Sequence, residues 1–262
     1  MPKAPSRKPT RANKPTRPHK STAHKMIVAM DGPAGSGKST TARHLAERMK
    51  LPYLDTGAMY RAVTLIAMEK KVPMTDGKKL AAIAARIPLR FGTLKEGKQT
   101  VWVGARNVST AIRTPELTAQ VHHTASDPLV RTELVRLQRR VANIGGGVIE
   151  GRDIGTVVFP DTPYKYYLDA DVKLRSQRRL NELKAAGVKT TFAKVLKDQI
   201  QRDYRDMHRK VAPLRPAKDA ILIDTTGLTI PATADIICDS ILKIQSRRAS
   251  GAVSRKSDRK RP

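Results

Sequence analysis

Eight consecutive residues, Gly32-Pro33-Ala34-Gly35-Ser36-Gly37-Lys38-Ser39, fit G-x-x-x-x-G-K-[S/T] in full. Glycines let successive backbone N–H groups curl around phosphates, and a helix opening at the loop adds partial positive charge. Lys38 can reach the β and γ oxygens as a mobile point charge. Ser39 offers a hydroxyl oxygen to Mg²⁺, a hard cation, and Thr40 follows it at the head of the helix. The chemistry implied is the binding of ATP with Mg²⁺. The acceptor stays open, because GTPases, helicases, transport ATPases and small-molecule kinases all use such a loop.

Arginines are the second set of residues able to do chemistry. Moving a phosphoryl group between two anions concentrates negative charge, so positioning and charge compensation dominate catalysis. Arg61 follows DTGAMY, Arg152 follows VIEG, Arg175, Arg178 and Arg179 form one group, and Arg202, Arg205 and Arg209 another. On helices each group falls on one face through i, i+3, i+4 spacing. Spacing alone equally allows a solvated basic face in a basic protein.

The elements that must position these groups alternate. MIVAMD (26–31) reads as a buried first strand running into the loop, and STTARHLAERMK as the helix after it. A short strand and a helix from about Gly57 follow. In 76–125 the pieces LRFG, TVWVG and RNVST suggest a small antiparallel unit inserted between helices. A helix over 127–144, strands at 148–153 and 164–170, helices over 171–187 and 191–209, a strand at 220–226 and a helix over 231–245 complete the series. Gly187 suits the end of one helix and Pro231 the first turn of another. The expectation is a doubly wound α/β fold, a parallel sheet flanked by helices.

Composition bounds the class. In 262 residues, 39% are hydrophobic and 4% aromatic, enough for one sizeable domain whose core rests on aliphatic side chains. The formal net charge is +28, and half of it sits in the two ends. Residues 1–25 carry eight Lys or Arg and no acid, and 246–262 carry seven against Asp258. Both ends lack large apolar groups, so they are expected to be disordered basic tails around a domain at 26–245. They could attract nucleic acid or another polyanion, or serve only as solubilising tails. There is no long apolar run and no signal-type N-terminus. The single cysteine, Cys238, suits a reducing cytoplasm and reads as a small helix hydrophobe.

DGPAGSGKST, LDTGAMYRAV, EGRDIGTVVFPD and RDYRDMHRKVAPLRPAKDAILIDTTGL, in that order, closely resemble the bacterial cytidylate kinases over about residues 26–245. The last two blocks are far more specific than the phosphate loop. The resemblance implies a P-loop nucleoside monophosphate kinase fold, with an enlarged NMP-binding insert (about 76–125) and a helical lid (about 171–209). It also implies a monomer that makes CDP or dCDP from CMP or dCMP and ATP with Mg²⁺. Carried over by motif, Thr56, Arg61 and Arg152 should hold the CMP phosphate. Asp153 should accept from the cytosine amino group, and Arg131 should hold the base edge. Arg202 and Asp206 should hold the sugar hydroxyls, Arg209 should lie on the transferring phosphate, and Arg175, Arg178 and Arg179 should match the lid. Lys38, Arg152, Arg178 and Arg209 are the expected catalytic set.

A carboxylate at Asp153 suits an amino donor, which uracil lacks; a carbonyl there would cost roughly 2–5 kcal/mol. The family's serine contact to the base falls here on His122, or with a small shift on Thr124 or Ser126. Imidazole is bulkier and can charge near neutrality, so CMP affinity or CMP/UMP preference is expected to become pH dependent below about pH 6.5. The alternative is that His122 faces solvent and contributes nothing. Two other functions remain: a nucleic-acid-binding P-loop NTPase, which DNA or RNA would stimulate, and an NMP kinase preferring UMP or AMP.

Overall fold

The computed structural model describes residues 25–94 and 99–257. β1 (Ile27–Asp31) is an unbroken apolar run because both its faces are covered. It leads through the glycine loop into α1 (Lys38–Met49), which turns Ala42, Leu45 and Ala46 inward. β2 (Tyr53–Asp55) runs directly into α2 (Thr56–Glu69), whose N-terminus is capped by Asp55 accepting from the Ala58 N–H.

The insert holds α3 (Gly77–Arg86), then β3 (Leu89–Phe91), β4 (Val101–Val103) and β5 (Arg106–Asn107) as an antiparallel sheet. A 3₁₀ turn (Ala111–Arg113) and α4 (Pro115–Ser126) follow. The antiparallel unit matches the expectation. Two helices were not anticipated, although α3 carries an Asp76 cap and α4 a Thr114 cap with proline at its first position.

α5 (Pro128–Gly145) leads to β6 (Gly147–Glu150), a single-turn π-helix (Ile154–Val158) and β7 (Tyr164–Asp169). α6 (Val172–Ala185), α7 (Phe192–His208), β8 (Ile221–Asp224) and α8 (Ile230–Ser257) close the chain. Gly187, at φ 75°, ends α6 in the left-handed conformation its lack of Cβ allows.

The large sheet is parallel throughout, in the order β2-β6-β1-β7-β8. α2, α3 and α5 share one core with Ile149 and Ile154, whereas α1 and α8 meet over Met30, Val148 and Leu168. The carboxyl ends of β2, β6, β1 and β7 therefore gather Asp55, Glu150, Asp31 and Asp169 along one edge, where ligands bind in open α/β sheets. Among the described residues no helix is long and apolar enough to cross a membrane.

One expected boundary moves. The helix expected to stop at 245 continues to Ser257, so 246–257, taken as part of a disordered tail, is helical. No proline interrupts the chain between Pro231 and Pro262, and Arg, Lys and Ala are good helix formers. The N-terminal tail, apart from Lys25, lies outside the described residues, as do 258–262.

Candidate active site

The loop depends on glycine at its entry. Gly32 has φ 145°, and a Cβ there would fall 2.0 Å from the Leu168 carbonyl oxygen. Gly35 and Gly37 turn the chain with φ of 77° and 78° and bring Lys38 to the start of α1. Pro33 and Ser36 are buried, Ala34 is half-buried, and Thr40 is exposed.

Lys38 lies 6% exposed with Nζ 3.5 Å from Glu150 Oε2. Burial, and then the charge of Arg152, push the Lys38 ammonium below the usual lysine value, while Glu150 opposes this. Ser39 Oγ donates to the same Glu150 oxygen at 2.6 Å, and the Tyr53 hydroxyl donates to the other. Glu150 went unnoticed in the sequence, although it opens the EGRD motif. The missed signal was an acid ending a buried strand that pairs with the strand before the loop.

Ser39 and Glu150 place two hard oxygen donors in contact beside the glycine loop, a pair able to hold a divalent cation. Among the described residues there is no cluster of three or more His, Cys, Asp or Glu that would make an all-protein cage. A cation that keeps waters and takes the rest of its ligands from phosphates fits such a sparse set.

The arginines divide by what they already hold. Arg175, 5% exposed, donates to Ala170 O at 2.8 Å and Ala34 O at 3.2 Å, and pairs with Asp203 at 2.6 Å. Gln199 donates to the same Ala34 carbonyl at 2.9 Å. Arg175 therefore clamps α6 and α7 onto the loop, with its guanidinium already engaged by protein groups. Arg178, one turn further, donates to Gly35 O at 3.2 Å from a half-buried position, and Arg179 is half-buried beside it.

On the other side Thr56 Oγ1 donates to Glu150 O at 2.7 Å. Arg61 pairs with Asp55 at 2.6 Å, and its Nε is buried with no hydrogen-bond partner among the described residues. Burial opposes ionisation of Asp55, but Arg61, Arg113 and the Ala58 N–H outweigh it and hold the carboxyl below its usual range. Arg152 Nε donates to Asp206 Oδ2 at 3.0 Å. Arg202 is pushed down to about 10, first by burial and then by Arg152, with Arg61 and Arg179 adding repulsion. Three arginines thus crowd Arg202 with Asp206 as a near acid. This excess positive charge is what a phosphate-binding site provides.

Arg131 and Arg209 both donate to Asp153, Arg131 to Oδ2 and Arg209 to Oδ1 at 3.4 Å. The Arg131 guanidinium also lies 5.6 Å over the Tyr60 ring. Arg209 sits just past the end of α7, and Arg205 is exposed. The expected single face of Arg202, Arg205 and Arg209 is therefore incomplete: the helix stops at His208, and Asp206 instead of Arg205 accompanies Arg202.

Ala125 O accepts from Arg131 at 3.2 Å and Arg209 at 3.5 Å, which brings α4 to the same pocket. His122 lies one turn earlier, with Nδ1 2.8 Å from Ala119 O. That carbonyl can only accept, so Nδ1 carries the proton and Nε2 of neutral His122 is an acceptor. Thr124 turns away: its hydroxyl lies 2.8 Å from that of Thr64 in α2, while Ser126 is exposed at the helix end.

The profile of the cytidylate kinase family matches residues 28–245. A cytidylate kinase of Streptococcus suis is 43% identical over 220 residues, covering 84% of this chain and 98% of its own. One from Streptococcus mutans is 45% identical over 211 residues, covering 80% and 93%. A bifunctional pantoate ligase/cytidylate kinase of Synechococcus is 48% identical over 214 residues, 80% of this chain but 39% of its own length. Phosphate loop, arginine-rich acceptor side and sequence match converge, and the chain belongs to the cytidylate kinase family of ATP-dependent phosphotransferases.

Proposed function

We propose that this kinase passes the γ-phosphate of ATP directly to CMP or dCMP, in line and with Mg²⁺, using the two sides of one cleft. Support comes chiefly from the contrast across it. On the donor side a glycine loop carries Lys38 and Ser39 beside Glu150. On the acceptor side an excess of arginine surrounds Asp206 and Asp153.

Residues 32–40 cradle the ATP phosphates. Arg178 reaches over the loop tip, and Arg175 supports it from behind through Ala34 O. Ser39 and Glu150 would hold Mg²⁺, which when bound would offset the negative charge of the phosphates. Thr56, Arg61 and Arg152 take the CMP phosphate; Arg202 and Asp206 take the sugar. Arg131 and Asp153 read the base, with His122 beside them; Arg209, expected on the transferring phosphate, instead joins them through Asp153 and Ala125 O. No general base is needed, because a nucleoside monophosphate is already an ionised nucleophile at neutral pH. Catalysis reduces to alignment and charge compensation.

We take the enzyme to act as a cytoplasmic monomer, with the basic ends adding salt-sensitive, sequence-independent attraction to polyanions. Removing 1–24 and 247–262 should leave turnover unchanged. The decisive experiment measures ADP release with CMP, dCMP, UMP and AMP as acceptors. CMP or dCMP should be preferred. ATP consumption indifferent to CMP but stimulated by DNA or RNA would overturn the reading.

A further inference from the structure

Asp31 touches neither nucleotide in the assignment above, yet it is 4% exposed at the junction of the two half-sites. It ends β1 immediately before the glycine loop. Oδ1 accepts from the Ile154 N–H at 2.8 Å and Oδ2 from the Gly155 N–H at 2.7 Å. Those amides open the π-helix directly after Arg152 and Asp153, and isolated π turns concentrate at functional sites.

We propose that Asp31 is a positioning residue for the acceptor: through two backbone hydrogen bonds it fixes the turn that aims Arg152 and Asp153 at CMP.

The entry to the turn hangs from β1. Gly151 N donates to Met30 O at 3.0 Å, and the next two anchors are the Asp31 oxygens. The backbone leaves strand geometry at Asp153, with φ −148° and ψ 28°, so strand pairing does not hold it there. A carboxylate suits this task because each oxygen accepts without offering a proton that would oppose an N–H. Its charged surroundings are Asp153 in the turn and Lys38 at the head of α1. Tyr167 of β7 faces it in register, and the Lys165 side chain packs against Gly155. The same residue thus joins the strand that carries the phosphate loop to the turn that carries the base reader.

The inference rests on Arg152 and Asp153 holding CMP, and the test separates the two. Asp31→Asn keeps the shape but turns an amide NH₂ toward one of the two N–H groups. Initial rates should show KM for CMP rising on the order of ten- to hundredfold, with KM for ATP unchanged. A merely structural role would raise both constants together or lower only the amount of folded enzyme. Either of those results, or an unchanged KM for CMP, overturns the proposal. If Asp31→Asn does not fold, Asp31→Ser attacks the same junction, since one short hydroxyl cannot replace the two oxygens that accept from the Ile154 and Gly155 N–H groups. It should give the same split, and equal effects on both substrates would refute the idea. Wild-type enzyme without CMP-dependent ADP release would instead refute the acceptor assignment.

Discussion

Replacing Asp153 with asparagine tests the base-reading assignment most directly. The carboxylate is 5% exposed and lies between Arg131 and Arg209, each of which donates to one of its oxygens. Two carboxylate oxygens provide about four acceptor positions, so two remain for an incoming donor such as the cytosine amino group. Asparagine keeps the shape but removes the charge and replaces one acceptor by an NH₂. CMP then loses a charge-assisted hydrogen bond and meets a donor, a penalty of roughly 2–4 kcal/mol, or roughly 30- to 1000-fold in kcat/KM. UMP, whose carbonyl can accept from the new NH₂, should lose much less. Rates of ADP release with CMP and UMP, measured side by side, should show the CMP/UMP ratio collapsing toward unity. The variant will also be less stable, because two buried guanidiniums lose their shared counter-charge, so melting must show that it is folded. A folded variant whose CMP/UMP ratio stays at the wild-type value would refute the reasoning.

Glu150→Gln removes the charge that Ser39 and Lys38 share, so the Mg²⁺ concentration for half-maximal rate should rise on the order of tenfold; an unchanged Mg²⁺ titration would count against its role. His122→Ser should change the KM for CMP and the CMP/UMP ratio, because it removes the imidazole Nε2 acceptor beside the base reader; unchanged values would make His122 a bystander. Burial first, and then the charge of Asp153, raise Asp31 from 3.8 to about 6 against its two N–H bonds. A carboxyl raised in the fold favours folding most below its unfolded value, and that contribution is lost as pH rises through about 6. Between acid and neutral pH the wild type should therefore lose up to about 3 kcal/mol relative to Asp31→Asn, read from urea midpoints; parallel stability curves would contradict the burial effect.

Local pattern carried much of this protein. The glycine loop, the strand before it and the helix after it are legible in consecutive residues, because turn geometry and apolar periodicity act over a few positions. The antiparallel insert announced itself through short glycine-bounded β pieces. The strand at 148–153 was expected to run through Arg152 and Asp153, but it ends at Glu150. The chain then turns into a π-helix whose first amides are held by the Asp31 oxygens, reaching across from another strand, and whose last carbonyls accept from Arg139 of α5. α3 and α4 were missed although their caps are written in the chain, because the β pieces around them dominated the reading.

What the sequence alone determined is which groups could do chemistry: the phosphate loop with Lys38 and Ser39, and arginines in sufficient number for a second anion. What the tertiary structure decided is which of them are already engaged. Arg175 and Arg178 look equivalent one turn apart, yet Arg175 is ion-paired to Asp203 and bound to Ala170 and Ala34, while Arg178 lies over the loop tip and donates only to the Gly35 and Thr225 carbonyls among the described residues. Glu150 becomes a partner of Ser39 across 111 positions of sequence, because β6 lies beside β1. Periodicity and capping act within one element, whereas a buried carboxylate finds its partners through the order in which strands are laid side by side.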